Sequence, residues 1–222
     1  MKTKNCEIIA EIANSHCGDF SKMKKLINIV AASGCKNIKY QIFNPNELLV
    51  EDHPQYDLLK SLCFEKDQWY EIGSISKVNN LNIYCDVFDH HSLDIAVKLN
   101  PVGYKIHSTN IDDYDFISKV VTHTDQLILS TGGSYQLEII NSVDYILNLK
   151  PSIEIFLMSG IQNFPTRLSD TNLIRIEQLK KQFRNYDNIK FGLQDHISGN
   201  DMMAFIIPFI ARTMNYDIIE KH

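Results

Sequence analysis

The sequence predicts a closed (β/α)8 barrel (a TIM barrel) of the α/β class, and three observations predict it. Short apolar runs rich in Ile, Val, Tyr and Phe recur eight times along 222 residues. Longer segments with helical periodicity separate them. The short runs are almost continuously apolar, as strands buried on both faces are, which is the mark of a parallel sheet covered by helices. Eight strands favour a closed barrel over an open doubly wound sheet. No GxGxxG follows the first run and there is no Walker A sequence, so neither nucleotide-binding alternative gains support.

The strand runs are 7–12, 37–42, 82–88, 103–107, 126–131, 153–159, 189–194 and 216–222. A first helix is expected over 20–33, where Met23, Leu26, Ile27 and Val30 share a face and Gly34 supplies the C-terminal stop. The second strand leads into the longest loop, 44–65, which holds Pro45, Pro54 and several charges. A loop of that size in a compact domain is more often functional than idle. Further helices are expected over 66–78, 91–99, 113–121, 134–149, 169–183 and 198–213. Ser134, Ser169 and Ser198 are the expected N-caps, because a hydroxyl can accept from the free N–H groups of a first turn. Pro151 stops the helix before it.

No linker divides the chain, so residues 1–222 are expected to form one barrel domain. The eighth run ends with the sequence at His222, so the barrel is expected to be truncated within its eighth strand, with the last helix missing. The apolar strip this would uncover is expected near Ile12, Ile218 and Ile219.

The formal net charge of −5 speaks against a nucleic-acid binder by bulk charge. No apolar run approaches the roughly 20 residues that span a bilayer. The N-terminus is basic, but Glu7 and Glu11 break the apolar stretch after it, so it does not read as a signal peptide. Cysteines at 6, 17, 35, 63 and 85 are odd in number, irregularly spaced and without a CxxC pair. Reduced thiols and a cytoplasmic location are expected.

In a (β/α)8 barrel the active site is built where strands end, and ionisable residues collect there. The first strand offers Glu11, the second Lys39 and Gln41, and the third Asp86 and Asp89. The fourth offers Lys105, His107 and Ser108, and the fifth Ser130 and Thr131. The seventh offers Gln194, Asp195 and His196, and the eighth Glu220, Lys221 and His222. A charge inside an apolar strand is costly to bury unless it is paired or liganded, and the repetition at one end of six strands points to function. Two ammonium groups, Lys39 and Lys105, with the hydroxyls of Ser108, Ser130 and Thr131 suit a small polyanion such as a phosphate ester. His196 and His222 end adjacent strands and could share a divalent metal with Glu11, Asp195 or Glu220 nearby.

These pieces resemble the sialic acid synthase family, and they run in family order. Ala10-Glu11-Ile12 with His16 and Gly18-Asp19 is similar to the AEI…NHxGD opening, and Ile38-Lys39-Tyr40-Gln41 to VKFQ. Asp86-Val87-Phe88-Asp89 resembles the family's third-strand region. Tyr104-Lys105-Ile106-His107-Ser108 resembles YKIxS, and Leu129-Ser130-Thr131-Gly132 resembles LSTG. Phe164-Pro165-Thr166 is similar to YPT, Gly192-Leu193-Gln194-Asp195-His196 to GxSDH, and Ile219-Glu220-Lys221-His222 to IEKH.

The resemblance implies a condensation of phosphoenolpyruvate with the open-chain aldehyde of an N-acetylated amino sugar, such as N-acetylmannosamine. Phosphate is released and a nonulosonic acid forms. Lys39, Lys105, Ser108 and Ser130 would hold phosphoenolpyruvate. His196 and His222 would bind Mn2+ or Mg2+ to polarise the aldehyde oxygen. Glu11 would lie beside the reacting carbons, and Gln41 would face the sugar. Asn110, Gln162, Phe164, Gln194 and Asp195 fall at or beside other substrate-binding positions. Three departures stand out: Asn110 replaces a glutamate, Phe164 a tyrosine, and Gln194 the serine before Asp195-His196. Family members continue past the IEKH strand into an antifreeze-like domain that caps the partner's site in a swapped homodimer, and that domain is absent from these 222 residues. Two other readings stay open: another barrel lyase or aldolase acting on a phosphorylated substrate, with Lys105 as the Schiff-base candidate, and an inactive sugar-binding fragment.

Overall fold

The computed structural model describes residues 6–222. The basic stretch 1–5, part of the signal-peptide argument, lies outside the described residues. Eight strands close a parallel barrel in sequence order: β1 (Glu7–Glu11), β2 (Asn37–Ile42), β3 (Asn82–Val87), β4 (Gly103–Ile106), β5 (Gln126–Ser130), β6 (Glu154–Ser159), β7 (Ile189–Asp195) and β8 (Ile218–Lys221). β8 returns to β1 with Glu7 opposite Ile218 and Ala10 opposite Lys221. Every strand therefore has two partners, and no backbone edge is left open.

The helices are α1 (Phe20–Ala32), α2 (Pro45–Leu48), α3 (Tyr56–Ser61), α4 (Lys66–Val78), α5 (His90–Leu99), α6 (Tyr114–Val121), α7 (Gln136–Leu149), α8 (Arg175–Gln182) and α9 (Met203–Thr213). The 44–65 loop is thus not structureless, because it folds into α2 and α3. Gly34 takes φ +83° and its N–H returns to Ala31 O, as a helix stop requires. Asp19, Asp89 and Asp113 cap α1, α5 and α6 through their carboxylates.

The three serine caps are not used. Ser134 lies in the turn before α7, whose cap is Tyr135, with Glu138 accepting from the Tyr135 N–H at 2.7 Å. Ser169 falls in a 3-10 turn, Leu168–Asp170, ahead of α8. Ser198 Oγ accepts from Asn200 N in a tight turn, and α9 starts later, after Met202. Each serine spends its hydroxyl or its position on a preceding turn, a local competition that favours Ser in either place. Among the described residues no helix is long and apolar enough to cross a membrane.

Two cores result. The larger lies between barrel and helices. The smaller fills the lower barrel with Ile9, Tyr84, Ile128, Phe156, Met158 and Ile218. The expected apolar strip is not where it was placed: Ile12, Ile218 and Ile219 are all buried. Strand alternation turns Ile218 into the barrel, while Ile12 and Ile219 join the outer core. Exposed apolar side chains occur instead at several places on the surface, among them Ile8 and α9 with its cap, where Met202, Phe205 and Phe209 are 73%, 67% and 74% exposed.

Candidate active site

Above the apolar barrel layer, the inward-facing residues become ionisable. Glu11, Lys39, Asp86, Lys105 and Glu220, from five different strands, are all buried. Barrel register places them side by side: Glu11 pairs with Lys39 across β1–β2, and Asp86 with Lys105 across β3–β4. Lys39 Nζ contacts the Glu11 carboxylate and lies 3.2 Å from both Asp86 Oδ2 and Glu220 Oε2. Lys105 Nζ binds Glu220 Oε1 and Oε2 at 2.8 and 3.1 Å and lies 3.7 Å from Asp86 Oδ2. The two ammonium groups therefore converge on shared carboxylates.

Burial alone would drive the Lys39 proton off, but Glu11, Glu220 and Asp86 overcome it and hold the ammonium well above its ordinary pKa. The two glutamates are pushed apart. Burial outweighs the pull of Lys39 on Glu11 and raises it to about 7. Burial also acts on Glu220, but Lys105 and Lys39 prevail and keep it below the usual carboxylate range. A carboxyl poised near neutrality beside a firmly ionised one is the arrangement general acid–base chemistry uses.

One step around the barrel, Ser130 and Gln194 form a neutral polar pair. Gln194 Nε2 lies 2.9 Å from Ser130 Oγ and donates to Gly160 O at 3.2 Å, and Gln162 Nε2 donates to Ser130 Oγ at 3.3 Å. Gly160, at φ +147°, makes this possible, because a Cβ there would sit 2.4 Å from Gln194 Cγ. Thr131 is committed elsewhere, donating its hydroxyl to Met158 O.

His196 and His222 meet at the mouth with ring centroids 4.9 Å apart, and Phe164 packs on both, at 4.2 and 5.7 Å. One nitrogen of each ring and a Glu220 oxygen all lie within 4.8 Å of one another. Burial keeps both imidazoles neutral: His196 is lowered, and His222, with His196 beside it, falls to about 3. His196 Nδ1 sits 2.9 Å from Ile161 O and donates to it, which leaves Nε2 as a lone-pair donor. Neutral, oriented imidazoles beside a carboxylate are a donor set that fits a divalent metal.

Above the charged layer opens a cavity of about 560 Å³. Gln41, His107, Gln162, Phe164 and His222 line it, together with Ala13, Asn14, Ser15, Phe43, Leu48, Leu59 and Phe88. Leu48 and Leu59 come from α2 and α3, and nothing in their local sequence marks them for a site. Asp86 and Glu220 did carry a signal, as ionisable residues inside apolar runs.

The structure brings together Glu11, Lys39 and Lys105, then Ser130, Gln162 and Gln194, then His196, His222 and Phe164. Asp195 does not join them. It lies on the face of β7 opposite Gln194, where its carboxylate pairs with Lys221 at 2.9 Å and accepts from Ile197 N at 3.0 Å. Ser108 and Asn110 bound the 3-10 turn Ser108–Asn110 after β4 and do not line the cavity. Asn110 Nδ2 reaches back to Phe88 O at 3.5 Å.

The chain is similar over nearly all its length to curated synthases of acidic sugars. A pseudaminic acid synthase of Helicobacter pylori is 24% identical over 97% of this chain and 65% of the relative. An uncharacterised protein of Methanocaldococcus jannaschii is 30% identical over 97% of this chain and 61% of its own length. The chain thus spans a little under two thirds of the length of these relatives. Among solved structures, an N-acetylneuraminic acid synthetase of Leptospira borgpetersenii in complex with citrate superposes with a TM-score of 0.87 at 26% identity, covering 99% of this chain and 73% of that one. The sequence model of the NeuB family matches residues 26–222, and the chain belongs to that family.

Proposed function

We propose that this barrel joins phosphoenolpyruvate to the aldehyde of an N-acetylated amino sugar, releasing inorganic phosphate and forming a nonulosonic acid. One observation carries the reading: a buried two-lysine centre shares Glu220 with a paired-histidine site, and His222 of that pair lines the cavity. Lys39 and Lys105 supply fixed positive charge for the phosphate and carboxylate groups, with hydroxyl donors from Ser130 and Ser108. Gln194 orients the Ser130 hydroxyl. The acceptor sugar lies in the cavity against Gln41, Gln162 and Phe164. Asn110 acts indirectly, by holding the turn after β4 to Phe88, just past β3.

In the reaction, C3 of phosphoenolpyruvate forms a bond to the aldehyde carbon, and the aldehyde oxygen takes a proton to become a hydroxyl. Water adds at C2, losing a proton. The adduct then breaks its C2–O bond to phosphate, the C2 hydroxyl passes its proton to the departing phosphate, and a 2-keto acid is left. Glu11, with its pKa near 7, is the group able to take the proton from that water at working pH. His196 and His222 would hold Mn2+ or Mg2+, with Glu220 beside them, and the ion would supply a Lewis acid for the aldehyde oxygen. The charged layer lies at the base of the mouth with the acidic groups already buried, so water is excluded as the sugar fills the cavity. Lys105, whose Nζ is engaged by both Glu220 oxygens, is poorly placed to act as a Schiff-base amine.

Phosphate release from phosphoenolpyruvate, measured with N-acetylmannosamine and Mn2+, tests the reading, with mass spectrometry of the product. Release that needs both sugar and metal is expected, and Lys39→Ala is expected to abolish it. Borohydride trapping of substrate on Lys105, or no release with any amino-sugar aldehyde, would overturn it.

A further inference from the structure

Arg175, at the start of α8, is engaged outside the mouth. Its Nη2 donates to Thr131 O and to Ser134 O, both at 2.9 Å, and so ties together the two ends of the Thr131-Gly132-Gly133-Ser134 turn after β5. That turn is itself anchored. Thr131 donates its N–H and its hydroxyl to Met158 O, and a Cβ on Gly132 would lie 2.2 Å from Gly160 O. The half-buried guanidinium is therefore fixed against the protein, and its planar fork is already oriented.

Nη2 is committed to the turn, while Nη1 and the Nε–H have no hydrogen-bond partner and Arg175 has no carboxylate partner among the described residues. Burial lowers its pKa with no acid to oppose it, yet a guanidinium keeps its charge at any working pH. The side chain lines a cavity of about 300 Å³ between α7 and α8. Ser134, Gln136, Asn172 and Gln178 line it too, each with a hydroxyl or amide able to donate a hydrogen bond. None of these residues lines the cavity at the mouth. The acids nearest in sequence are already engaged: Glu138 accepts from Tyr135 N at 2.7 Å, and Glu177 pairs with Lys180 at 3.0 Å. Residues 167–184 carry five basic side chains against two acidic ones, in a chain whose net charge is −5.

We propose that this cavity is a second ligand site, separate from the mouth, and that it takes a small, multiply charged oxyanion: a phosphate group or a polycarboxylate. A fixed guanidinium with unused N–H groups makes charge-assisted hydrogen bonds to such a group. The neutral amide and hydroxyl donors around it complete the shell without adding charge. A singly charged or neutral molecule gains less, because the attraction scales with the charge of the ligand. The volume suits a small molecule, at the lower end of the range such sites occupy. The site does not depend on the reaction proposed for the barrel, since no residue of the two-lysine centre takes part in it.

Calorimetry on the full chain tests the proposal, with inorganic phosphate and citrate titrated separately and phosphoenolpyruvate present, without metal, to occupy the mouth. One equivalent of anion should bind beside phosphoenolpyruvate, and the tighter probe tells a phosphate site from a polycarboxylate site. Gln178→Glu sets a carboxylate on the exposed rim of the cavity and leaves the turn untouched. It should weaken anion binding at least about 10-fold, the scale of one hydrogen bond to a charged group. Arg175→Gln should weaken it as much, and Arg175→Lys should recover part of the loss. No anion binding beside phosphoenolpyruvate, or binding that Gln178→Glu leaves unchanged, overturns the proposal. If phosphoenolpyruvate itself does not bind, the anions enter both places. A stoichiometry of two that falls to one in Gln178→Glu then supports this site and counts against the proposed reaction alone.

Discussion

Two layers of one barrel interior, two residues apart along the same strands, are chemical opposites. On β1, Ile9 lies below Glu11, and on β3, Tyr84 lies below Asp86. On β5, Ile128 lies below Ser130, and on β8, Ile218 lies below Glu220. The lower layer gains stability by removing apolar surface from water, about 1.5–3 kcal/mol for each large side chain. The upper layer is equally buried, yet it gathers two cations and three carboxylates, whose mutual attraction roughly offsets the cost of desolvating them. The backbone is the same in both. One layer holds the barrel together, and the other spends that rigidity on holding charges in fixed positions at the mouth.

The sharpest way to break the contrast is to remove the centre of the charged layer. Lys39→Ala leaves Glu11, Asp86 and Glu220 without their shared cation, and breaking a buried pair this way costs about 3–5 kcal/mol. Urea unfolding at pH 8 measures it. A cost below about 1 kcal/mol would show that water reaches the layer. Ile128→Ala in the lower layer should cost about 2–5 kcal/mol through cavity formation. It should leave phosphoenolpyruvate affinity per folded molecule unchanged, as calorimetry can show.

A third change should reverse in sign within the upper layer. Glu11 is raised to about 7 in the folded chain, above its ordinary value. Its contribution to stability is therefore full below the unfolded pKa and is lost as the pH rises through about 7. Glu11→Gln carries no such loss, so relative to the unaltered chain it should gain about 1–3 kcal/mol between pH 5 and pH 8. Glu220 is shifted the other way, so Glu220→Gln should lose its advantage as the pH rises from acid to neutral. Parallel unfolding curves for Glu11→Gln and the unaltered chain at both pH values would show that Glu11 is ionised throughout.

The smallest effect on folding is expected outside the barrel. Phe205 and Phe209 stand exposed on α9, so replacing both with Asp should shift unfolding by no more than about 0.5 kcal/mol per site. It should reduce self-association, because exposed apolar patches of this kind drive it. Light scattering on the unaltered chain and the double variant compares them, and identical profiles would show that the α9 face is not the sticky surface.

The sequence by itself determined the barrel. Eight apolar runs with strand lengths, alternating with helical periodicity, leave few other topologies, since parallel strands must be joined by covering crossovers. It also determined which strand ends carry buried charge, because Glu11, Lys39, Lys105 and Glu220 are ionisable residues within otherwise apolar runs. Only the tertiary structure decided how those residues are shared. Barrel register, not sequence spacing, sets Lys39 against three carboxylates from three strands. Strand parity turns Asp195 to the outer face although it sits between two inward residues, and buries Ile12, Ile218 and Ile219 where an exposed strip was expected. Helix starts also went to tertiary and turn contacts, because a serine serves a preceding turn as readily as a cap. Part of the cavity lining could not be read at all: Leu48 and Leu59 lie on short helices inside a long loop, and only the fold brings them to the cavity.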